Sequence, residues 1–143
     1  MISWSGMKIP PNIPVYGDPS FRGKCPREGT EQSSFFNQIR REYPDTWGRL
    51  AVHIRNEDSL ASAHKMQKHK LEGLTTGASD IQIPGRPSFV CEMKRADRTQ
   101  SALSDEQLAY LVAAQDAGAY ACIALGAVAA WEAFLFWKEL QGC

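Results

Sequence analysis

Long uninterrupted apolar runs are missing from this chain. Its most apolar tract, residues 119–137, is broken by Gly126 and Glu132, and it falls short of the roughly 20 apolar residues that a membrane span requires. It reads as a buried strand followed by a helix, and no membrane partner is expected. Paired cysteine motifs are missing: Cys25, Cys91, Cys122 and Cys143 form no CxxC pair. The N-terminus lacks a charged region followed by an apolar stretch of signal-peptide type, so a reduced, intracellular protein of the cytoplasm is expected. Internal repeats are absent too. Net charge is zero, but it is unevenly spread: residues 1–100 hold 15 Lys plus Arg against 11 Asp plus Glu, and the remainder holds Lys138 against five acids.

What is present is an ordinary globular composition, 43% hydrophobic and 22% charged, which excludes disorder and fibrous repeats. At 143 residues the chain can bury a core without metal or disulfide staples, and one domain is expected. Residues 1–28 contain Pro10, Pro11, Pro14, Pro19 and Pro26 with several glycines. They read as an arm lying on a domain of residues 29–143.

Within that domain Thr30 is placed to cap a helix from Glu31 toward Tyr43, stopped by Pro44, with Phe35, Phe36 and Ile39 as its apolar stripe. Residues 49–54 read as a short strand and residues 58–71 as a helix. Ile81–Ile83 and Phe89–Met93 form the arms of a hairpin around a Pro-Gly-Arg-Pro turn. Ser104 with Gln107 three residues on has the capping-box pattern, and Gly118 closes that helix. Residues 120–125 form a strand buried on both faces, and 128–140 an aromatic helix. The fold class is therefore α/β, a four-stranded mixed sheet flanked by helices (αβββαβ).

The hairpin carries Asp80, Glu92 and Lys94 where apolar residues would be ordinary. Side chains alternate across a strand, so Glu92 and Lys94 share one face, and Cys91 and Met93 the other. For Ile81 and Ile83 to join Phe89, Cys91 and Met93 in the core, paired residue numbers must sum to an even value, and the loop must be odd. Asp80 then lies opposite Glu92. Two opposed carboxylates repel by up to roughly 1 kcal/mol in an exposed pair, and a divalent cation relieves this, since Mg²⁺ takes carboxylate oxygens and binds phosphate at its open positions. The plain alternative is a same-face Glu92–Lys94 ion pair on a solvated hairpin.

The wider constellation resembles the PD-(D/E)xK nuclease superfamily, and within it the VRR-NUC group, over about residues 28–131. Glu31 matches the acidic residue of that family's first helix, "VHIRNE" its second-strand segment, "GLTTGASDIQI" the approach to the metal-binding aspartate, and "CEMKRA" the Glu-x-Lys. Ser79 stands where the family usually has proline. The resemblance implies a restriction-endonuclease-like core with metal ligands Glu31, Asp80, Glu92 and the Met93 carbonyl. It further implies catalytic roles for Asp80, Glu92 and Lys94, a supporting Gln107, and Mg²⁺ or Mn²⁺ as cofactor. Glu31 also suits a helix dipole and Gln107 a capping box.

Lys65, Lys68 and Lys70, with Arg95 and Arg98 beyond the hairpin, suit phosphate contacts or a solvated basic face. His53 reads as packed on its strand, and His64 and His69, five apart, match no zinc site. The aromatic surface of the last helix suits a homodimer interface, in line with homodimeric junction resolvases. The function expected is a metal-dependent DNA endonuclease acting on branched DNA such as Holliday junctions. The alternative is a non-catalytic nucleic-acid-binding or adaptor protein that retains a nuclease fold.

Overall fold

The computed structural model describes residues 2–54, 68, 71, 73 and 75–142. Strands β1 (Ser3–Trp4) and β2 (Met7–Lys8) form a small antiparallel ladder. They are followed by β3 (Val15–Tyr16), α1 (Glu28–Glu42), α2 (Trp47–Leu50), β4 (Val52–His53), β5 (Ile81–Ile83) and β6 (Phe89–Lys94). A 3-10 turn (Arg98–Gln100), α3 (Asp105–Asp116), β7 (Tyr120–Leu125) and α4 (Ala127–Leu140) complete the chain. The main sheet runs β3, β7, β6, β5, β4 from edge to edge. Its first three strands are parallel, and β5 and β4 join antiparallel.

The sheet is mixed and flanked by helices, as expected, but it has five strands rather than four. The extra strand, β3, comes from the proline-rich arm, where Val15 pairs with Ile123 and Tyr16 with Ala124. The arm also supplies core. Trp4, Ile9 and Ile13 are buried with Val90, Ile123, Leu125, Leu103 and Leu111 on the α3 face of the sheet. Burying one such aliphatic side chain contributes roughly 1.5–3 kcal/mol, which ties the arm to the domain. The opposite face is larger: Phe35, Phe36 and Ile39 of α1 and Ala130, Ala133, Phe134 and Trp137 of α4 cover Ile81, Ile83, Phe89, Cys91 and Met93. β6, covered on both sides, is buried along its whole length.

Three local expectations are corrected. Helix α1 begins at Glu28, with Arg27 in extended geometry at the N-cap and no side-chain cap, so Thr30 lies inside the first turn. The chain turns helical as soon as it leaves Pro26, whose carbonyl is held by Arg95 Nε at 3.1 Å, and the first helical bond runs from Glu31 N to Arg27 O. Residues 49–54 are not one strand. Arg49 and Leu50 complete the α2 turn, in which Trp47 packs edge-on against Trp137 at 5.0 Å between ring centres. Only Val52 and His53 then pair with the short β5. His53, expected to be packed, is exposed at the sheet edge with its ring 6.0 Å from Phe36. The helix expected over residues 58–71, with His64, Lys65, His69 and Lys70, lies outside the described residues apart from Lys68 and Leu71, which are exposed.

The hairpin register follows the burial argument. Ile81 pairs with Cys91, Gln82 with Val90 and Ile83 with Phe89, so continuation of the ladder sets Asp80 against Glu92. Among the described residues no helix is long and apolar enough to cross a membrane.

Candidate active site

The α3 face of the sheet changes character along β6. Val90 is core, whereas Glu92 and Lys94 on the same face reach an open cleft of about 520 Å³ lined also by Glu28, His53, Asp80, Arg95, Ser101 and Gln107. Each side chain is positioned by backbone. Asp80 ends the loop before β5, where its carbonyl accepts from Ile54 N at 2.7 Å and its Oδ2 accepts from Met93 N at 3.0 Å. That loop is pressed against α3 at Gly77, whose φ is +83° and where an added Cβ would stand 2.5 Å from the Glu106 carbonyl. Only glycine meets both conditions.

Helix α3 is capped by the Ser104–Gln107 box, with Ser104 Oγ accepting from Gln107 N at 3.1 Å and Gln107 Oε1 accepting from Ser104 N at 2.9 Å. The same Gln107 reaches into the site. Its Oε1 accepts from Lys94 Nζ at 3.0 Å, and its Nε2 donates to Glu92 Oε2 at 3.3 Å. Capping and site support are therefore one arrangement. Lys94 Nζ also donates to Ala102 O at 2.6 Å and stands 3.6 Å from Glu92 Oε2 and 3.9 Å from Glu28 Oε1.

Glu92 is 1% exposed, and as an anion its Oε1 has no hydrogen-bond partner among the described residues, whereas a protonated Glu92 shares a hydrogen bond with the Asp80 carboxylate. Burial pushes its pKa well above the usual carboxylate range, the neighbouring Asp80 pushes it further, and Lys94 pulls it back only in part. A buried, partnerless carboxylate oxygen facing a second carboxylate is costly in a fold that has no use for it. The donor set consists of hard oxygens beside a cleft. It fits a Mg²⁺-type ion, which binds through one or two carboxylates and leaves positions for water and phosphate. Among the described residues no group of three His, Cys, Asp or Glu is gathered around a common point.

The structure brings Asp80, Glu92, Lys94 and Gln107 together and takes Glu31 elsewhere. Glu31 Oε2 accepts from Ala127 N at 2.7 Å, so this carboxylate caps α4, where the helix dipole favours it. A Cβ on Gly126 would collide with the same oxygen. Glu28, one turn earlier, is the α1 carboxylate in the cleft, where Ser101 Oγ donates to its Oε1 at 3.1 Å. It was hidden in the sequence by the expected cap at Thr30; Pro26 was the available signal for an earlier helix start. Met93 keeps its side chain in the core on the other face and lends its amide to Asp80.

The two arginines expected to meet DNA have internal partners instead. Arg95 donates to Pro26 O and Cys25 O, at 3.1 and 2.8 Å, and Arg98 to Pro19 O and Ser3 O, at 3.1 and 3.0 Å. These are carbonyls of the arm, which offers them because its prolines and irregular backbone leave acceptors unpaired. Lys68 is exposed; Lys65 and Lys70 lie outside the described residues. Ser79, at the position expected of proline, is fully buried with no partner for its hydroxyl among the described residues.

No family model and no curated protein matches the sequence. In three dimensions the chain is similar to a solved structure described as a VRR_NUC domain protein. That likeness has 19% identity and a TM-score of 0.62, over 78% of this chain and 88% of that one. It establishes the fold: the chain is built like that VRR_NUC domain protein, a mixed sheet flanked by helices.

Proposed function

We propose that this protein is a divalent-metal-dependent nuclease that hydrolyses phosphodiester bonds in DNA. The observation that carries the reading is the buried Glu92 carboxylate, opposed to Asp80 and left with a partnerless oxygen at the cleft. Asp80 and Glu92 are the side chains that would hold Mg²⁺ or Mn²⁺, with the Met93 carbonyl as a further candidate ligand. When bound, the ion supplies Lewis-acid stabilisation of the phosphate's developing charge and a more acidic water.

The protein's own groups do the remainder. Lys94, anchored by Ala102 O and Gln107 Oε1, presents a fixed cation to orient the attacking water or a phosphate oxygen. Gln107 holds Lys94 and Glu92 in one rigid unit with the α3 cap, so the groups are organised before substrate arrives. Arg95 lines the same cleft with its guanidinium held by Pro26 O and Cys25 O.

Branched DNA such as a Holliday junction is the substrate this reading favours, since no described element forms a long base-reading helix or ribbon and backbone geometry is then what remains to be recognised. Val128, Leu135, Phe136 and Leu140 leave apolar surface exposed on α4, which suits a second copy and two cuts on opposed strands. A monomer mass at micromolar concentration in light scattering would remove that dimer.

The test is to incubate wild type and Asp80→Ala with labelled duplex, flap, single-stranded and four-way-junction DNA in Mg²⁺, Mn²⁺ or EDTA. Metal-dependent cutting by wild type alone is expected. Binding with no cutting of any substrate would sink the enzyme and leave a DNA-binding protein on a nuclease-type fold.

A further inference from the structure

The cleft has an electrostatic difficulty. Its lining carries Glu28, Asp80 and Glu92 against Lys94 and Arg95, and Arg95 is largely engaged by the arm. A polyanion approaching such a floor is repelled unless cations stand at its edge. The arm held at that edge is basic. Residues 1–27 contain one acid, Asp18, against Lys8, Arg22, Lys24 and Arg27.

The arm is also fixed in place. Asp97, buried in the loop after β6, accepts from Gly23 N at 2.9 Å while bonding Thr99 and Gln100, and Gln100 Nε2 donates to Gly23 O at 2.8 Å. With the two arginine clamps, these bonds join residues 19–26 to the loop after β6. Gln100 and Arg95 line the cleft themselves, and the arm runs directly into Glu28. Its outer side is free. Residues 20–24, 26 and 27 are exposed, and neither Lys24 nor Arg27 makes a side-chain ion pair or hydrogen bond among the described residues. Phe21 is 39% exposed with no aromatic partner among the described residues. Arg22 beside it is turned inward: its Nη1 donates to Pro19 O and Phe21 O at 3.0 and 2.7 Å and stands 4.0 Å from Asp97 Oδ1. An exposed ring among cations is the composition that holds unpaired nucleotides, with the ring under a base and the cations on the backbone.

We propose that Ser20–Arg27 is the DNA-docking rim of the cleft, with Lys24 and Arg27 contacting phosphates and Phe21 stacking on an unpaired base beside the scissile position. The choice of DNA as ligand rests on the nuclease reading; the rim itself rests on the placement of the arm. Because the arm is anchored before any ligand arrives, little ordering is lost on binding. The consequence is specificity for DNA with single-stranded character next to the cut.

Binding of labelled duplex, single-stranded and forked DNA by the full chain in EDTA, followed by anisotropy from about 50 to 200 mM salt, tests this without cutting. The Lys24→Ala/Arg27→Ala variant should weaken all three DNAs and reduce the slope of log affinity against log salt by about two on duplex. Phe21→Ala should lose roughly 5- to 150-fold on single-stranded and forked DNA and little on duplex. Unchanged melting temperatures establish that both variants fold. A wild type that binds DNA, with variants of equal affinity and slope, overturns the rim and leaves the nuclease standing. DNA held through the rim but cut in no metal supports the rim and sinks the nuclease, and a wild type that binds no DNA at the lowest salt overturns the rim while cutting in Mg²⁺ or Mn²⁺ decides the nuclease separately.

Discussion

Replacing Glu92 by Gln should stabilise the metal-free protein. Glu92 is buried against Asp80 with one oxygen unpartnered, and its pKa in the fold lies well above its ordinary value of 4.5, through burial first and the Asp80 charge second. For a carboxyl raised in this way the stabilisation is complete below the ordinary value and is lost as pH rises through the folded value. Between the two, the fold loses about 1.36 kcal/mol for each pH unit from this group. An amide of the same shape has no proton to lose, can still accept from Gln107 Nε2, and can donate to the Asp80 carboxylate it faces. Relief of a buried unmet acceptor is worth about 1–3 kcal/mol, and each kcal/mol moves the melting temperature by roughly 2–4 °C in a chain of this size. Thermal melts in EDTA should therefore show Glu92→Gln above wild type by several degrees at pH 8, with the gap closing toward pH 4.5. Added Mg²⁺ should raise wild type and not the variant. A variant that melts below wild type at pH 8 in EDTA would refute the reasoning, because it would mean that Glu92 is well satisfied as an anion without metal.

Four further outcomes follow from the geometry. Gln107→Ala removes half of the α3 capping box and the acceptor that holds Lys94; it should cost about 0.5–2 kcal/mol in urea unfolding and lower the cutting rate roughly ten- to hundred-fold. Gly77→Ala forces a side chain onto the Glu106 carbonyl at φ +83° and should destabilise by about 2–4 kcal/mol, read by the same unfolding curves. Ser79→Ala removes a buried hydroxyl with no partner among the described residues and should leave stability unchanged or raise it by about 1 kcal/mol, so a marked loss would reveal a partner for that hydroxyl. Asp97→Ala frees Gly23 N and Thr99 N and should expose residues 18–26 to limited proteolysis while the rest of the domain resists; equal resistance in both proteins would show that the arm is held without Asp97.

Much of the centre of the molecule was legible from residue order because its signals are local or periodic. The alternation of apolar residues in 81–93 determined the hairpin register, since a slip of one residue would have moved Ile81 and Ile83 away from Phe89 and Cys91. The Ser104–Gln107 spacing determined the α3 cap, and the apolar run of 120–125 determined a strand buried on both sides. Together they brought Asp80, Glu92, Lys94 and Gln107 to one place.

What depends on how separate elements meet was decided only by the tertiary structure. Glu28 and Glu31 lie three residues apart on one helix; which of them enters the cleft depends on how α1 is rotated against the sheet, and that is set by Phe35, Phe36 and Ile39 packing under α4. Val15 and Tyr16 are strand-favouring residues but only two of them, between Pro14 and Gly17, and they become β3 because the edge of β7 offers unpaired backbone groups. Arg95 and Arg98 read as phosphate ligands by composition, but an irregular segment nearby held carbonyls in need of donors. Residue type and spacing determined the chemistry this chain can gather; the packing of helix and arm on the sheet decided which copies of each residue type take part.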